Sequence, residues 1–256
     1  MPMIQLKECL QSNRLTIGSW ISLAHPAIAE VMARAGFDWL VIDLEHSTIT
    51  IREAGELIRV ISLCDVPPLV RLTANDPNQI KRVMDAGAQG VIVPMVKSKG
   101  EAEQAVSAVY YPVQGSRGVG LARAQGYGTR FREYSQWLAE QAVVIPQIEH
   151  IEAVNHLEEI LSVSGVDGYI IGPYDLSASM GLPGQFGHPD VVAAIERIRR
   201  VGQAMNKPGG LHVVEPDAAE LQRRIAEGFK FLAYSVDFRM LDATCRAGLA
   251  AIRRPT

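Results

Sequence analysis

Cysteine is scarce in this chain. Cys9, Cys64 and Cys245 are far apart and odd in number. That excludes a disulfide framework and any zinc site built on paired cysteines, and it fits reduced thiols in a cytoplasmic protein. Long apolar runs are missing too: none approaches the roughly 20 residues a membrane-spanning helix needs. The opening "MPMIQLKECLQSNR" lacks the apolar stretch of a secretory signal. Charge is not one-sided, since 25 Lys and Arg stand against 28 Asp and Glu, a net charge of −3. With both signs mixed along the chain, there is no basic stripe for nucleic acid. The first apolar run, "GSWISLAHP", carries a single glycine. A doubly wound dinucleotide-binding sheet would want a Gly-rich phosphate turn there. Finally, no lysine sits at a strand end in a Schiff-base position, because Lys230 opens its strand at the wrong end.

What is present is a rhythm. Eight short apolar runs begin at Thr16, Trp39, Pro67, Gly90, Val143, Gly168, Gly209 and Phe229, and helical patterns such as "PNQIKRVMDAG" and "VVAAIERIRRVGQAM" lie between them. Gly36, Gly87, Gly202 and Gly228 read as C-caps of those helices. Strand–helix alternation repeated eight times predicts a parallel sheet closed into a (β/α)8 barrel, a TIM barrel. Near-continuous apolar strands agree, since parallel strands are buried on both faces. The 256 residues fit one such barrel, so residues 1–256 are expected to form a single domain. One irregular stretch, Tyr111 to Arg130, is long enough to imply either a functional loop or disorder.

Active sites of such barrels lie at the C-terminal ends of the strands. Read off in order, those ends carry Trp20; Asp43, Glu45 and His46; Arg71; Gln147 and Glu149; Asp175 within "GPYDLS"; His212; and Ser235 with Asp237. Each has an unremarkable explanation. Asp175 suits a helix N-cap. Glu149 and Arg71 suit ordinary ion pairs, Trp20 suits core lining, and His25, His150, His156 and His188 suit loop histidines. Together they suggest chemistry beside a 2-oxo acid. Glu149 and Asp175 are hard oxygen ligands suited to Mg²⁺ or Mn²⁺ with open positions, and such an ion polarises a carbonyl. Arg71 can stabilise an enolate oxygen. Asp43 and His46 can form an acid–base pair in which the carboxylate fixes the imidazole tautomer. Backbone N–H groups around Gly172 to Asp175, a stretch that includes Pro173 and Tyr174, can bind a substrate carboxylate if a helix starts there.

"FDWLVIDLEH", "YPVQGSRGVG", "PQIEH" and "GVDGYIIGPYDLSASMG", in this order, resemble the 4-hydroxy-2-oxoheptanedioate aldolase family, the metal-dependent class II pyruvate aldolases grouped with citrate lyase β subunits. The resemblance runs from about Ile4 to Ala251. It implies a barrel whose last helix is exchanged between subunits, and a hexamer built as a trimer of dimers. It implies metal ligands at Glu149 and Asp175, with Mg²⁺, Mn²⁺ or Co²⁺ as the ion. It also implies a catalytic His46 supported by Asp43, an enolate-stabilising Arg71, a pyruvate-contacting Gln147 and an aldehyde-side Trp20. Arg123, in the long loop, is implied to reach a neighbour's site. Two positions depart from the family's pattern: Tyr174 replaces a small residue and His212 an apolar one. Their polarity and bulk point to short, polar aldehydes, unless His212 turns aside to pack on a neighbouring loop.

The expectation is therefore a lyase of aromatic or sugar acid catabolism. It would cleave a 4-hydroxy-2-oxo acid into pyruvate and an aldehyde, with small-molecule partners and no nucleic acid or membrane. His46 would take the proton of the C4 hydroxyl, and Arg71 would hold the pyruvate enolate. Oxaloacetate decarboxylation or acyl-CoA lyase chemistry on the same machinery, and a non-catalytic binding barrel, remain as alternatives.

Overall fold

The computed structural model describes residues 5–252. Eight parallel strands close in sequence order: β1 (Thr16–Ile21), β2 (Trp39–Asp43), β3 (Pro68–Arg71), β4 (Gly90–Val93), β5 (Val143–Ile148), β6 (Tyr169–Ile171), β7 (Gly209–Val213) and β8 (Phe231–Val236), with β8 returning to β1. Around them run α1 (Leu6–Gln11), α2 (Pro26–Arg34), α3 (Ile51–Leu63), α4 (Pro77–Ala86), α5 (Lys99–Val109), α6 (Phe131–Gln141), α7 (Ile151–Asn155), α8 (Leu157–Leu161), α9 (Pro173–Ser179), α10 (Pro189–Ala204), α11 (Ala218–Ala226) and α12 (Asp237–Ala251). The alternation read from the sequence is the alternation of the structure.

Two apolar layers follow from strands that are buried on both faces. The inner one fills the barrel with Trp39, Val41, Leu69, Ile92, Ile145 and Phe231, and Trp39 stacks on Phe231 at 4.1 Å. The outer one lies between strands and helices and holds residues such as Ile42, Leu57, Val70, Ile80 and Val144. Several helices start as their sequence dictates. Thr50 and Ser98 form reciprocal capping boxes with Glu53 and Glu101. Three of the histidines, His25, His150 and His188, are N-caps that accept a backbone N–H, which accounts for them without catalysis.

Of the four glycines read as helix ends, Gly36, Gly87 and Gly228 adopt positive φ beyond their helices. Gly202 does not end its helix, because α10 continues to Ala204. Its role is close approach: a Cβ there would lie 2.2 Å from the hydroxyl of the buried Tyr169. The long loop is ordered rather than free. Arg117 is buried within it, its guanidinium 4.3 Å from the Tyr111 ring centre and its Nη2 donating to the Tyr134 hydroxyl at 2.8 Å. The last helix, α12, leaves Phe238, Leu241 and Leu249 exposed and buries only Asp237.

The N-terminal face of the barrel is plugged by α1, whose Leu6 and Leu10 enter the inner core. Lys7 anchors the plug, 3.1 Å from Asp167, and also donates to the Ala142 carbonyl and the Tyr110 hydroxyl. Removing one partner of a buried pair strands the other's charge, which costs about 3–5 kcal/mol. Lys7→Ala is therefore expected to lower unfolding stability by about 3 kcal/mol. The urea midpoint measures this, and a shift worth less than about 1 kcal/mol would rank the pair with ordinary surface bridges.

Candidate active site

The register of β2 against β3 sets Asp43 directly beside Arg71, each the last residue of its strand. Opposite charges on neighbouring strand ends of one face must meet. Arg71 Nε donates to Asp43 Oδ1 at 2.8 Å and Nη2 to Oδ2 at 2.7 Å, a two-pronged pair, while Nη1 lies 3.2 Å from Glu45 Oε2. The guanidinium also stacks 4.4 Å from the Trp20 ring centre, and Trp20 packs on His212 at 5.3 Å.

This corrects the expected Asp43–His46 pair. Both Asp43 oxygens are occupied by Arg71, and Oδ1 also accepts the amides of Glu45 and His46. The His46 ring has only Glu45 as a nearby carboxylate, at 3.8 Å, and its side chain is 65% exposed. Asp43 orients Arg71, and His46 stands free at the rim. Glu45, which the sequence reading passed over as a functional group, is the residue that joins Arg71 to His46. Its neighbours in "DLEH" were the available signal.

Glu149 is 2% exposed. Its Oε1 accepts the amide of Met95 at 2.7 Å, and Oε2 accepts the Gln147 side-chain amide. Met95 supplies that N–H from a left-handed backbone, φ 54°. Gly172 makes room for the carboxylate, since a Cβ there would lie 2.7 Å from Glu149 Oε2. Burial pushes the Glu149 carboxyl up to about 7, with Glu45 and Asp175 adding repulsion. Glu45 is also pushed up to about 7 by burial; Arg71 opposes this, and Asp43 and Asp175 reinforce it. Glu45 Oε2 accepts no hydrogen bond.

Asp175 lies in the first turn of α9, as the third residue rather than its N-cap. The helix starts at Pro173, and no side chain caps it. Its leading amides are therefore available to an anion. Trp20, His46, Arg71, Gln147, Gly172, Pro173, Tyr174, Asp175 and His212 line one cavity of about 330 Å³.

Would a divalent cation fit here? Carboxylates raising one another's pKa beside one arginine are under-compensated, and all are hard oxygen donors. Among the described residues no group of three or more His, Cys, Asp or Glu is arranged to enclose a metal. On donor chemistry, the oxygens of Glu149 and Asp175 are of the kind a divalent cation takes.

Three of the sequence candidates take specific partners. His212 turns its Nε2–H to the Ser235 carbonyl at 2.9 Å rather than offering that donor to a ligand. Tyr174 lines the cavity, is 62% exposed and packs edge-on against Phe186. Arg123 donates to the Ala86 carbonyl at 2.9 Å, at the C-terminal end of α4. That end faces the entry of β4, at the opposite rim of the barrel. The unpaired carbonyls and negative dipole of a helix end attract a cation there, so Arg123 does not reach this chain's mouth.

The family model described as HpcH/HpaI aldolase/citrate lyase matches residues 16–243. The chain is similar to a pyruvate aldolase of Rhizobium etli, 41% identical over 242 residues that cover 94% of each chain. It is also similar to a 4-hydroxy-2-oxo-heptane-1,7-dioate aldolase of Salmonella paratyphi C, 43% identical across 92% of this chain and 89% of that one. Among solved structures, a family protein from Burkholderia cenocepacia J2315 superimposes with a TM-score of 0.92. It is 33% identical and covers 97% of this chain and 99% of its own.

His212 makes one property of the mouth measurable. Burial lowers its pKa to about 4, with Arg71 adding repulsion, so the folded state holds the neutral ring. A depressed folded pKa contributes stability that is fully present above the unfolded value near 6.5 and is lost as pH falls through about 4. The stability difference between wild type and His212→Gln should therefore grow from pH 4 to 6.5, by at most about 3 kcal/mol. Urea unfolding at several pH values reads it, and a flat difference would mean that the ring is solvated.

Proposed function

The chain belongs to the HpcH/HpaI aldolase/citrate lyase family, and from that premise we propose that it cleaves a 4-hydroxy-2-oxo acid reversibly into pyruvate and an aldehyde. The observation that carries this reading is Arg71, held by Asp43 and Glu45 at a barrel mouth whose cavity Asp175 lines, with Glu149 buried against Gly172 and Gln147. An enolate needs a fixed positive group at its oxygen, and an arginine locked on two carboxylates cannot swing away.

Glu149 and Asp175 would hold a divalent ion, Mg²⁺ or Mn²⁺ with Co²⁺ as a substitute, which when bound supplies Lewis-acid polarisation of the 2-oxo carbonyl. The first-turn amides of α9 receive the substrate carboxylate, and Gln147 borders the pyruvate half. His46, free of other partners apart from Glu45, takes the proton of the C4 hydroxyl. The C4–O bond becomes a carbonyl, C3–C4 breaks, and its electron pair passes into the enolate whose oxygen faces Arg71. Protonation at C3 yields pyruvate. No step in this sequence calls for a lysine imine.

The partners are small molecules, and among the described residues no helix is long and apolar enough to cross a membrane. We place the protein in the cytoplasm. We also propose an oligomer, up to the trimer of dimers, in which α12 leaves its own barrel and covers a second copy. Its exposed Phe238, Leu241 and Leu249 are the apolar surface that such an exchange would bury.

Two outcomes test the chemistry. Chelation should abolish pyruvate release, and adding Mg²⁺ or Mn²⁺ should restore it and raise the wild-type Tm by mass action. Glu149→Gln and Asp175→Asn should lose both the activity and the Tm increment while remaining folded. An unchanged increment in both variants would move the ion elsewhere. For His46→Ala, cleavage should fall by about 10²–10⁴, and deuterium uptake from solvent into the pyruvate methyl should fall much less. Equal losses would give His46 a role in enolate formation as well.

A further inference from the structure

The cavity at the barrel mouth has a neighbour on its outer side. A second, larger cavity of about 790 Å³ runs between α10 and α11, outside β7. Pro173, Tyr174, His212 and Val214 line both. The groove therefore adjoins the mouth along these four residues, with Tyr174 at the border. Tyr174 is positioned for this by Phe186, whose ring meets it edge-on at 4.7 Å and 86°.

The near end of the groove is apolar and exposed. Tyr174, Phe186, Val192 and Val214 are 62%, 38%, 51% and 40% exposed, and all four line the same space. Exposed apolar residues gathered beside a site mark a surface that something apolar covers. Electrostatics narrow the occupant further. Glu196, Glu215, Asp217, Glu220 and Glu227 line the groove. Among the described residues the cations lining it are Arg199 and Arg224, and both are committed: Arg199 to Glu196, Arg224 to Glu220 and Glu227. An anionic tail would find carboxylates and no free cation. A neutral apolar tail would find aromatic and branched aliphatic walls.

We propose that the aldehyde half of the substrate extends from the barrel mouth into the groove between α10 and α11, that this aldehyde is uncharged with an apolar tail, and that Phe186 helps determine that specificity. The proposal rests on the aldolase reading and names the class of its second substrate. It replaces the short polar aldehyde suggested by Tyr174 and His212 in the sequence, because the structure turns the Nε2–H of His212 to Ser235 and the ring of Tyr174 to Phe186.

The test is pyruvate condensation with three aldehydes: 3-phenylpropanal, succinic semialdehyde and glycolaldehyde. Wild type, Phe186→Ala and Val192→Asp are each compared in kcat/KM. Val192→Asp changes an exposed helix position, and circular dichroism checks its fold. Hydrophobic subsites discriminate by about 10–200-fold per methylene. Wild type should therefore favour 3-phenylpropanal over succinic semialdehyde by about tenfold or more. The ratio of 3-phenylpropanal to glycolaldehyde should fall about tenfold in Val192→Asp and severalfold in Phe186→Ala. A wild-type preference for succinic semialdehyde, or a ratio unmoved in both variants, overturns the groove assignment while leaving the aldolase reading in place. Failure of pyruvate to exchange its methyl hydrogens for deuterium with Mg²⁺ or Mn²⁺ added removes the aldolase reading, and the tail site with it.

Discussion

A guanidinium cannot be brought to the mouth of an apolar barrel alone. Burying an unpaired charge costs several kcal/mol, and Arg71 meets that constraint by taking both oxygens of Asp43 and one of Glu45. Much of the mouth follows from this. Asp43 is no longer available to a histidine. The open face of the guanidinium is covered by Trp20, and Trp20 is backed by His212. Burial keeps that ring neutral, and Arg71 adds repulsion against a charged imidazole. Its tautomer is fixed by the Ser235 carbonyl, which accepts only from a protonated Nε2. Ser235 itself sits at positive φ, in the stretch where the register between β1 and β8 shifts. The local irregularity of two strands is thus tied, through a ring and an indole, to the one permanent charge at the mouth.

The two ends of the barrel are built on opposite electrostatic terms. At the N-terminal face, Lys7 and Asp167 neutralise each other, with hydrogen bonds to Ala142 and Val144 completing the set. At the C-terminal face the carboxylates outnumber the arginine, and two of them are pushed up to about 7. Paired burial strands no charge, whereas the raised carboxyls mark burial that Arg71 does not offset.

The sequence disclosed the barrel because parallel strands buried on both faces leave continuous apolar runs, and the rhythm of those runs is local information. It offered candidates for the site for a related reason: strand ends can be counted. It did not disclose who pairs with whom. That Asp43 serves Arg71 depends on a one-residue register between β2 and β3, and nothing in either segment alone fixes it. Gly202 looked like a helix end because its need for space comes from Tyr169, more than 30 residues earlier in the chain. Arg123 looked like an active-site loop residue because the composition of its loop carries no sign of the α4 carbonyl that holds it. Met95 had no signal at all: its contribution is a backbone amide in an uncommon conformation. The family resemblance supplied roles, but it could not supply Tyr174 or His212, where this chain departs from the pattern.

Those departures fall on one side of the cavity, and that asymmetry has a physical meaning. The side next to Arg71, Gln147 and Glu149 is made of strand ends, with charged and amide groups that are expensive to leave unpaired. Such a surface discriminates by factors of about 10⁴–10⁵, and it tolerates little change in the group it grips. The side next to Tyr174, Phe186 and Val214 is made of a helix start, a loop and the edge of a groove, and it is mostly apolar. Apolar walls separate neighbouring tails only weakly and admit substitution without losing the fold. On the proposed reading, the 2-oxo acid half meets the charged network that Arg71 requires, and the aldehyde half meets apolar walls outside it.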